Sequence, residues 1–217
     1  STENKLVTLK EYVERSHEDQ KYIYSAAGAS ADQIDSLPQV GIIKNKGYEM
    51  LYLTDAFERN LCCAPSARTA KKKFRSVSGD DLGLEDDAEK SDDEKEADNA
   101  FFEKLAGLLS SEVVRVKATD LLADEDAVYL STEGQISVDM EKLYAAMPNG
   151  GAIKAQKVLE INKTIGLRQL EELYKAEDDD ALKEYTNLLY QQARLIAGLP
   201  VEDPTAFARS MSAMMTK

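Results

Sequence analysis

The sequence has very few of the residues that build metal centres and redox sites. It contains one histidine, His17, and two adjacent cysteines, Cys62 and Cys63, in 217 residues. Because a structural zinc site takes four ligands and neighbouring cysteines seldom form an unstrained disulfide, we expect neither. His17 stands in a polar stretch and is predicted to be an ordinary surface residue. We therefore predict no metal site, and a reducing, cytoplasmic setting.

Long apolar runs and basic stripes are also missing. No stretch approaches the roughly 18 consecutive apolar residues of a membrane helix, and residues 1–10 lack the apolar segment of a signal peptide. The net charge is -13, and residues 80–98 alone carry eleven Asp or Glu against two lysines. This segment is predicted to be a solvated linker. Since nucleic-acid phosphates need Lys and Arg, we expect binding to neither nucleic acids nor membranes.

Motifs for catalysis and nucleotide binding are absent as well. The sequence has no GxxxxGKS or GxxxxGKT loop, no GxGxxG after a predicted strand, and no GxSxG. Paired carboxylates are plentiful in the acidic segment, but a mobile run cannot hold the fixed geometry that acid–base catalysis needs. We predict no catalytic and no cofactor-binding residue in this chain, and we do not expect it to be an enzyme.

The first half of the chain has the pattern of a small α/β unit. Thr8 and Glu11 form a capping box that predicts a helix over residues 9–17. Aromatic and β-branched residues predict strands at 22–26 and 48–53, and polar caps and glycines delimit short helices between them. Strand, helix, strand over about thirty residues indicates a βαβ unit with a parallel pair. Residues 74–77 could add a third strand.

The second half is predicted to be an α+β domain with a small sheet. Asp98 or Asn99 is expected to cap an amphipathic helix that opens this domain. Strands follow at 113–116, 127–130 and 157–161, and helices at 137–147 and 165–175.

Two terminal helices, predicted at 180–197 and 204–215, carry more apolar residues than one short antiparallel pair can hide. Packing in the core of a single chain would explain this surplus. We favour pairing with a second copy into a four-helix bundle, since two-fold dimers are the commonest oligomers. The residues predicted to form this dimer interface are Leu182, Tyr185, Leu188, Leu189, Leu195, Ile196, Phe207, Met211, Met214 and Met215.

An apolar stripe marks the helix predicted at 137–147. Core packing is the ordinary interpretation of such a stripe. Gly134 and the PNGG sequence at 148–151 flank the helix with flexible joints, however, and methionine and tyrosine suit adaptable contacts with other proteins. The stripe consists of Ile136, Met140, Leu143, Tyr144 and Met147, while Ser137, Asp139, Glu141 and Lys142 are expected to face away.

The order of these landmarks resembles the ninety-kilodalton heat-shock chaperone family, and within it the bacterial high-temperature protein G. The resemblance covers nearly the whole chain, and its motifs are specific when they are taken together. The matching pieces are LVTLKEYVER (6–15), QKYIY (20–24), KGYEMLYLTD (46–55), FRSV (74–77), DDLGL (80–84), VVRV (113–116), LEIN (159–162), LLY (188–190) and EDP (202–204).

The resemblance implies a dimeric, ATP-driven stress-response chaperone with an ATPase domain, a middle domain and a dimerisation domain. Residues 1–79 would form the end of the middle domain, 80–98 the acidic linker, and 99–217 the C-terminal dimerisation domain. ATP and magnesium would bind elsewhere in the full-length protein. The two terminal helices would join the subunits, and the stripe of residues 136–147 would bind non-native client proteins. The chain ends in MMTK, without a Met-Glu-Glu-Val-Asp tail, so tail-docking co-chaperones are not expected.

Residues 56–70 depart from the family pattern. The codons of residues 62–70, when read two bases later, can encode LRTLRENG, which is family-like. We therefore hypothesise a local frameshift and assign no function to Cys62 and Cys63. Resequencing the gene tests this, and a clean reading frame would contradict it.

Two other functions stay open. The first is a small α/β nucleotide- or flavin-binding domain with a helical appendage, whose ligand would lie at the strand ends near Ala27-Gly28 and Thr54-Asp55. The second is a purely structural dimerisation module that has no client of its own.

Overall fold

The structure, a computed structural model, describes residues 6–17, 19–55, 72–79, 82, 84, 92–109, 111, 113–123, 125–134, 136–147 and 153–215. These residues form a mixed fold of helices and two three-stranded sheets, as the sequence predicts. The hypothesised frameshift and both cysteines lie outside the described residues.

The first sheet consists of β1 (Tyr22–Ala27), β2 (Met50–Leu53) and β3 (Lys73–Ser76). Its order is β2-β1-β3, and both outer strands run parallel to β1. Two short helices, α2 (Ala31–Asp35) and α3 (Pro38–Asn45), form the crossover from β1 to β2. The predicted βαβ unit and its third strand are therefore confirmed.

Local sequence signals set the ends of these helices. The first helix, α1 (Leu9–Arg15), begins with the predicted capping box, in which the Glu11 carboxylate accepts the Thr8 backbone N–H at 2.8 Å. The hydroxyl of Ser30 accepts a backbone N–H in the first turn of α2 at 3.2 Å. Gly47, with a φ of +74°, follows α3 in the left-handed conformation that glycine adopts without strain.

The second sheet consists of β4 (Val113–Thr119), β5 (Val128–Glu133) and β6 (Gln156–Asn162). Its order is β4-β6-β5, with β4 parallel and β5 antiparallel to the central strand β6. Every residue of β6 after Gln156 is buried, which places this strand at the centre of the domain.

The structure describes five further helices in this half of the chain. They are α4 (Asp92–Leu108), α5 (Val138–Ala145), α6 (Leu167–Lys175), α7 (Asp179–Ile196) and α8 (Pro204–Met215). Helix α4 packs against β4, and α7 packs against β5, α4 and α6. The bounds of α8 agree with the prediction.

Helix α4 begins earlier than the sequence predicts. The expected cap at Asp98 or Asn99 is wrong because Glu, Lys and Ala are good helix formers and the helix extends through them to Asp92. Leu82 and Leu84, at the start of the acidic segment, are buried in the first core. The prediction that residues 80–98 form a solvated linker is therefore wrong at Leu82 and Leu84.

The two halves of the chain are joined by a shared apolar cluster and by hydrogen bonds. Tyr129 of β5 belongs to the cluster that covers the first sheet. Gln39 Nε2 donates to the Leu130 carbonyl oxygen at 3.1 Å, and the Thr132 hydroxyl donates to the Ser78 carbonyl oxygen at 3.0 Å. These contacts bring the end of β1 close to α5.

Candidate functional site

Helix α5, which carries the predicted client-binding stripe, has well-defined local anchors. It follows Gly134, whose φ of +82° makes the turn out of β5. The Ser137 hydroxyl accepts the Met140 backbone N–H at 3.2 Å and so caps the first turn. Val138, only 3% exposed, fixes the helix to the core of the second sheet.

The four stripe residues whose side chains the structure describes keep part of their surface accessible. Met147 is 46% exposed, and the nearby Ile153 is 40% exposed. The side chain of Leu143 lies outside the part that the structure describes. Val138 fixes the helix to the core, and the exposed parts of the stripe leave apolar area for a partner. Its half-buried members are Ile136, Met140 and Tyr144.

Glu141 lies on the face of α5 that the sequence predicts to be polar and exposed, yet it is only 5% exposed. Its carboxylate accepts hydrogen bonds from Lys157 Nζ and from the Ala155 backbone N–H, both at 2.8 Å. The prediction that Glu141 faces solvent is therefore wrong, because Lys157, wholly buried in β6, requires an opposite charge. The signal in the sequence is a lysine immediately before the apolar residues of a central strand.

A second buried carboxylate, that of Glu160, lies further along β6. It accepts a hydrogen bond from the Ser131 hydroxyl, and Lys117 Nζ lies 3.3 Å from it. Burial raises the pKa of the Glu160 carboxyl, and the nearby ammonium and hydroxyl groups offset this only in part.

A cavity of about 380 Å³ lies where the end of β1, α5 and the turn after α7 meet. Gly28, Met140 and Gly198 line it from these three sides. Glycine is needed at position 28 because a Cβ there would lie 2.7 Å from Ile34 Cγ1. The cavity therefore coincides with one half of the strand-end site that the sequence left open, at Ala27-Gly28.

Three of the leucines predicted to form the dimer interface are buried within the single chain. Leu182, Leu188 and Leu189 are 0%, 6% and 4% exposed. Leu182 and Leu189 belong to the apolar cluster of the second sheet, because α7 packs between β5 and the neighbouring helices. They have almost no surface to lose on association, so core packing in one chain accounts for them.

The remaining predicted interface residues whose side chains the structure describes keep exposed surface. Leu195 is 58% exposed and Met211 is 38% exposed. Among the residues of α8 whose side chains the structure describes, which excludes Met215, none is fully buried. The exposed apolar surface of the terminal helices therefore lies on α8 and at the end of α7. The half-buried residues of this surface are Ile196, Phe207 and Met214, whereas the half-buried Tyr185, in the first half of α7, packs against the core of the second sheet.

The described residues include no candidate metal cluster and no candidate membrane-spanning helix. Among them, no group of three His, Cys, Asp or Glu residues is arranged to hold a metal ion. None of the described helices is long and apolar enough to cross a membrane. His17 is exposed at the surface, as predicted.

Comparison with known proteins gives a consistent match along the chain. The family model described as Hsp90 protein matches residues 1–217. The chain is 44% identical over 218 residues to the chaperone protein HtpG of Natranaerobius thermophilus, covering 100% of this chain and 34% of that protein. It is 43% identical over 215 residues to HtpG of Clostridium acetobutylicum, and 44% identical over 216 residues to HtpG of Oceanobacillus iheyensis. Each match covers 99% of this chain and 34% of the relative. The chain thus spans about a third of the length of these relatives, and it belongs to the Hsp90 family.

Proposed function

We propose that this chain is the part of an HtpG-like chaperone that joins two copies through α7 and α8 and contacts non-native proteins along α5. In this proposal, residues 1–79 are the end of a middle domain and residues 99–217 are a dimerisation domain. The setting is the cytoplasm, and the partners are a second copy and unfolded clients. Nucleic acids and membranes have no part in it.

The surface of α8 carries the dimerisation proposal. Phe207, Met211 and Met214 recur at the spacing of one helical face, yet each keeps exposed area in the single chain. A cavity of about 100 Å³ remains between α7 and α8 beside Phe207. A two-fold partner that supplied its own helix pair would cover this face and complete a four-helix bundle.

The stripe on α5 supports the client-binding proposal. Met140 and Met147 have flexible, polarisable side chains that can adapt to many apolar sequences, and Tyr144 adds a ring with a polar tip. The Glu141–Lys157 pair and Val138 hold the opposite side of the helix to the second sheet. A client could therefore contact the stripe while α5 stays in place.

ATP turnover is assigned, in this proposal, to the part of the relatives that this chain does not cover. The chain spans about a third of their length, and its sequence contains no phosphate-binding GxxxxGKS or GxxxxGKT loop and no GxGxxG after a predicted strand. It would accordingly act as a binding and joining segment, without a nucleotide or magnesium of its own.

A second candidate function, small-molecule binding, is favoured by the cavity at Gly28. A flavin or nucleotide would occupy the end of β1, where parallel sheets commonly bind ligands. A thermal-shift screen with nucleotides and flavins distinguishes the two candidates. We expect no shift, whereas a saturable rise in the unfolding temperature would favour the second.

The leading proposal is tested first by the mass of the chain in solution. Sedimentation equilibrium over a range of concentrations should show a reversible dimer of twice the 24.0 kDa chain mass. Titration of the same sample against a permanently unfolded fluorescent protein should show weak, saturable binding. A dimer that does not bind the unfolded protein would leave only the structural dimerisation module.

A further inference from the structure

Hydrogen bonds fix both ends of the turn between α7 and α8, residues 197–203. Gly198, with a φ of +69°, ends α7, and the Leu199 backbone N–H donates to the Arg194 carbonyl oxygen at 2.8 Å. Asp203 then caps α8, since its carboxylate accepts the backbone N–H groups of Thr205 and Ala206 at 2.9 Å each. The turn therefore has a fixed exit from one helix and a fixed entry into the next.

Arg194 connects these two ends from within α7. Its side chain is 8% exposed, and its guanidinium donates to the Pro200 carbonyl oxygen at 3.0 Å through Nε. Through Nη1 it donates to a Glu202 carboxylate oxygen at 2.6 Å and to the Tyr190 hydroxyl at 3.3 Å. The planar guanidinium thus bonds to Pro200 in the middle of the turn and to Glu202 just before the cap of α8. It also bonds to Tyr190, one turn earlier in α7. The amide oxygen of Gln191 adds a bond from the Glu202 backbone N–H at 3.3 Å.

Helix α8 has few other constraints on its direction within a single chain. None of its described side chains is fully buried, and its main contacts are with α7. Beyond the first turn, the Ser210 hydroxyl donates to a Glu184 carboxylate oxygen at 3.4 Å, which is long for a hydrogen bond. The cavity beside Phe207 also leaves the packing of the two helices incomplete. The angle between the helices is therefore set mainly where α8 begins.

We propose that Arg194 is a positioning residue for self-association, because it fixes the direction in which α8 leaves α7. This inference rests on the proposed dimer. In the dimer, Phe207 and Met211 must meet the partner at a defined angle, and an α8 that swings about its first turn would lose that alignment. The entropy of ordering α8 would then be a cost of each association step.

The guanidinium has a geometry that lysine cannot replace. A lysine at position 194 keeps the positive charge but has a single nitrogen, so it cannot reach the Pro200 carbonyl oxygen and the Glu202 carboxylate from one plane. A methionine keeps the length of the side chain and removes all of its donors. If the planar arrangement of the guanidinium donors matters, both variants weaken the dimer. If charge alone matters, only the methionine variant does.

The test measures the dimer dissociation constant by sedimentation equilibrium for the wild type, Arg194→Lys, Arg194→Met and Glu202→Gln. Thr186→Ala serves as a matched control, because Thr186 is fully buried in the same helix and bonds only locally, from its hydroxyl to the Leu182 carbonyl oxygen at 2.6 Å. Urea unfolding of every variant records the loss of fold stability separately. Hydrogen exchange of residues 199–206, at concentrations where the chain is monomeric, reports the order of the turn.

We expect the dissociation constant to rise about tenfold or more in both Arg194 variants, by a smaller factor in Glu202→Gln, and by less than about twofold in Thr186→Ala. Hydrogen exchange over residues 199–206 should accelerate in Arg194→Lys, Arg194→Met and Glu202→Gln, but not in Thr186→Ala. A wild-type chain that stays monomeric overturns the proposed dimer and this inference with it. A wild-type dimer whose dissociation constant is unchanged in Arg194→Met and Arg194→Lys overturns the inference alone. An equal rise in Thr186→Ala overturns it too, since general destabilisation would then explain the effect.

Discussion

Glu141 and Lys157 form a buried ion pair in which the carboxylate and the ammonium are 2.8 Å apart. The side chain of Lys157 has no exposed surface, and that of Glu141 is 7% exposed. The pair ties α5 to the central strand β6, since Glu141 lies on the helix and Lys157 on the strand. The proposed client helix is thus held by its charged face, and its apolar stripe remains available.

Glu141→Gln should destabilise the fold strongly. The variant leaves the buried Lys157 ammonium without this opposite charge, and breaking a buried pair in this way costs about 3–5 kcal/mol. Urea unfolding measures the loss. The matched control is Glu14→Gln, whose pair with Lys10 spans 3.9 Å between side chains that are 62% and 85% exposed, and it should change little. Adding Lys157→Met to Glu141→Gln should recover part of the loss. Equal unfolding free energies for Glu141→Gln and Glu14→Gln would show that the Glu141–Lys157 pair does not stabilise the fold.

Charges on the exposed side of α5 should weaken client binding. Tyr144→Asp combined with Met147→Asp places two carboxylates on the stripe, where an apolar client segment would have to desolvate them, so affinity should fall about tenfold. Ala145→Asp is the control, because this exposed residue lies in the same helix and off the stripe. Fluorescence titration with an unfolded protein compares the three chains. Wild-type affinity in the double variant would remove α5 from the proposed function.

Acidification should stabilise the wild type relative to Glu160→Gln. Because burial raises the pKa of Glu160 in the folded state above its unfolded value, the folded chain takes up the proton more readily. The associated stability is fully present below the unfolded pKa and is lost as the pH rises through the folded pKa. The difference in unfolding free energy between the two chains should therefore move in favour of the wild type from about pH 7 to about pH 5. A difference that is constant with pH contradicts the raised pKa.

Alanine should have opposite effects at two glycines. At Gly28 a Cβ would lie 2.7 Å from Ile34 Cγ1, so Gly28→Ala should destabilise the fold by about 1–3 kcal/mol. At Gly41, inside α3, a Cβ has nothing within 4 Å, and Gly41→Ala should stabilise the helix by about 0.5–1 kcal/mol. Thermal unfolding of both variants measures the two effects. A shift of the same sign in both would mean that the contact with Ile34 does not restrict position 28.

The elements predictable from the sequence are those with a local cause. The Thr8 capping box, Gly47 after α3 and the Asp203-Pro204 start of α8 depend on neighbours within a turn, and each lies where it is predicted. The parallel pairing of β1 and β2 follows from the helical crossover between them.

The features that the sequence did not reveal depend on distant partners. From the sequence alone Glu141 looks like an exposed residue, because its partner Lys157 lies sixteen residues further along the chain. From the sequence alone Leu189 looks like excess apolar surface on a helix, because the sequence does not show that it packs in the core of the second sheet. Leu189→Asp would consequently disrupt the core of one chain, so it cannot serve as a test of the dimer.

Sedimentation equilibrium of the wild type beside Met211→Asp and Ser212→Asp tests whether two copies associate through α8. Met211 lies on the exposed apolar face of α8, and Ser212 is an exposed neighbour that points away from it. We predict a dimer of twice 24.0 kDa for the wild type and for Ser212→Asp, and a monomer of native stability for Met211→Asp. A wild-type chain that stays monomeric at every concentration would contradict the proposed dimer. A Met211→Asp dimer as tight as the wild type would contradict association through this face of α8.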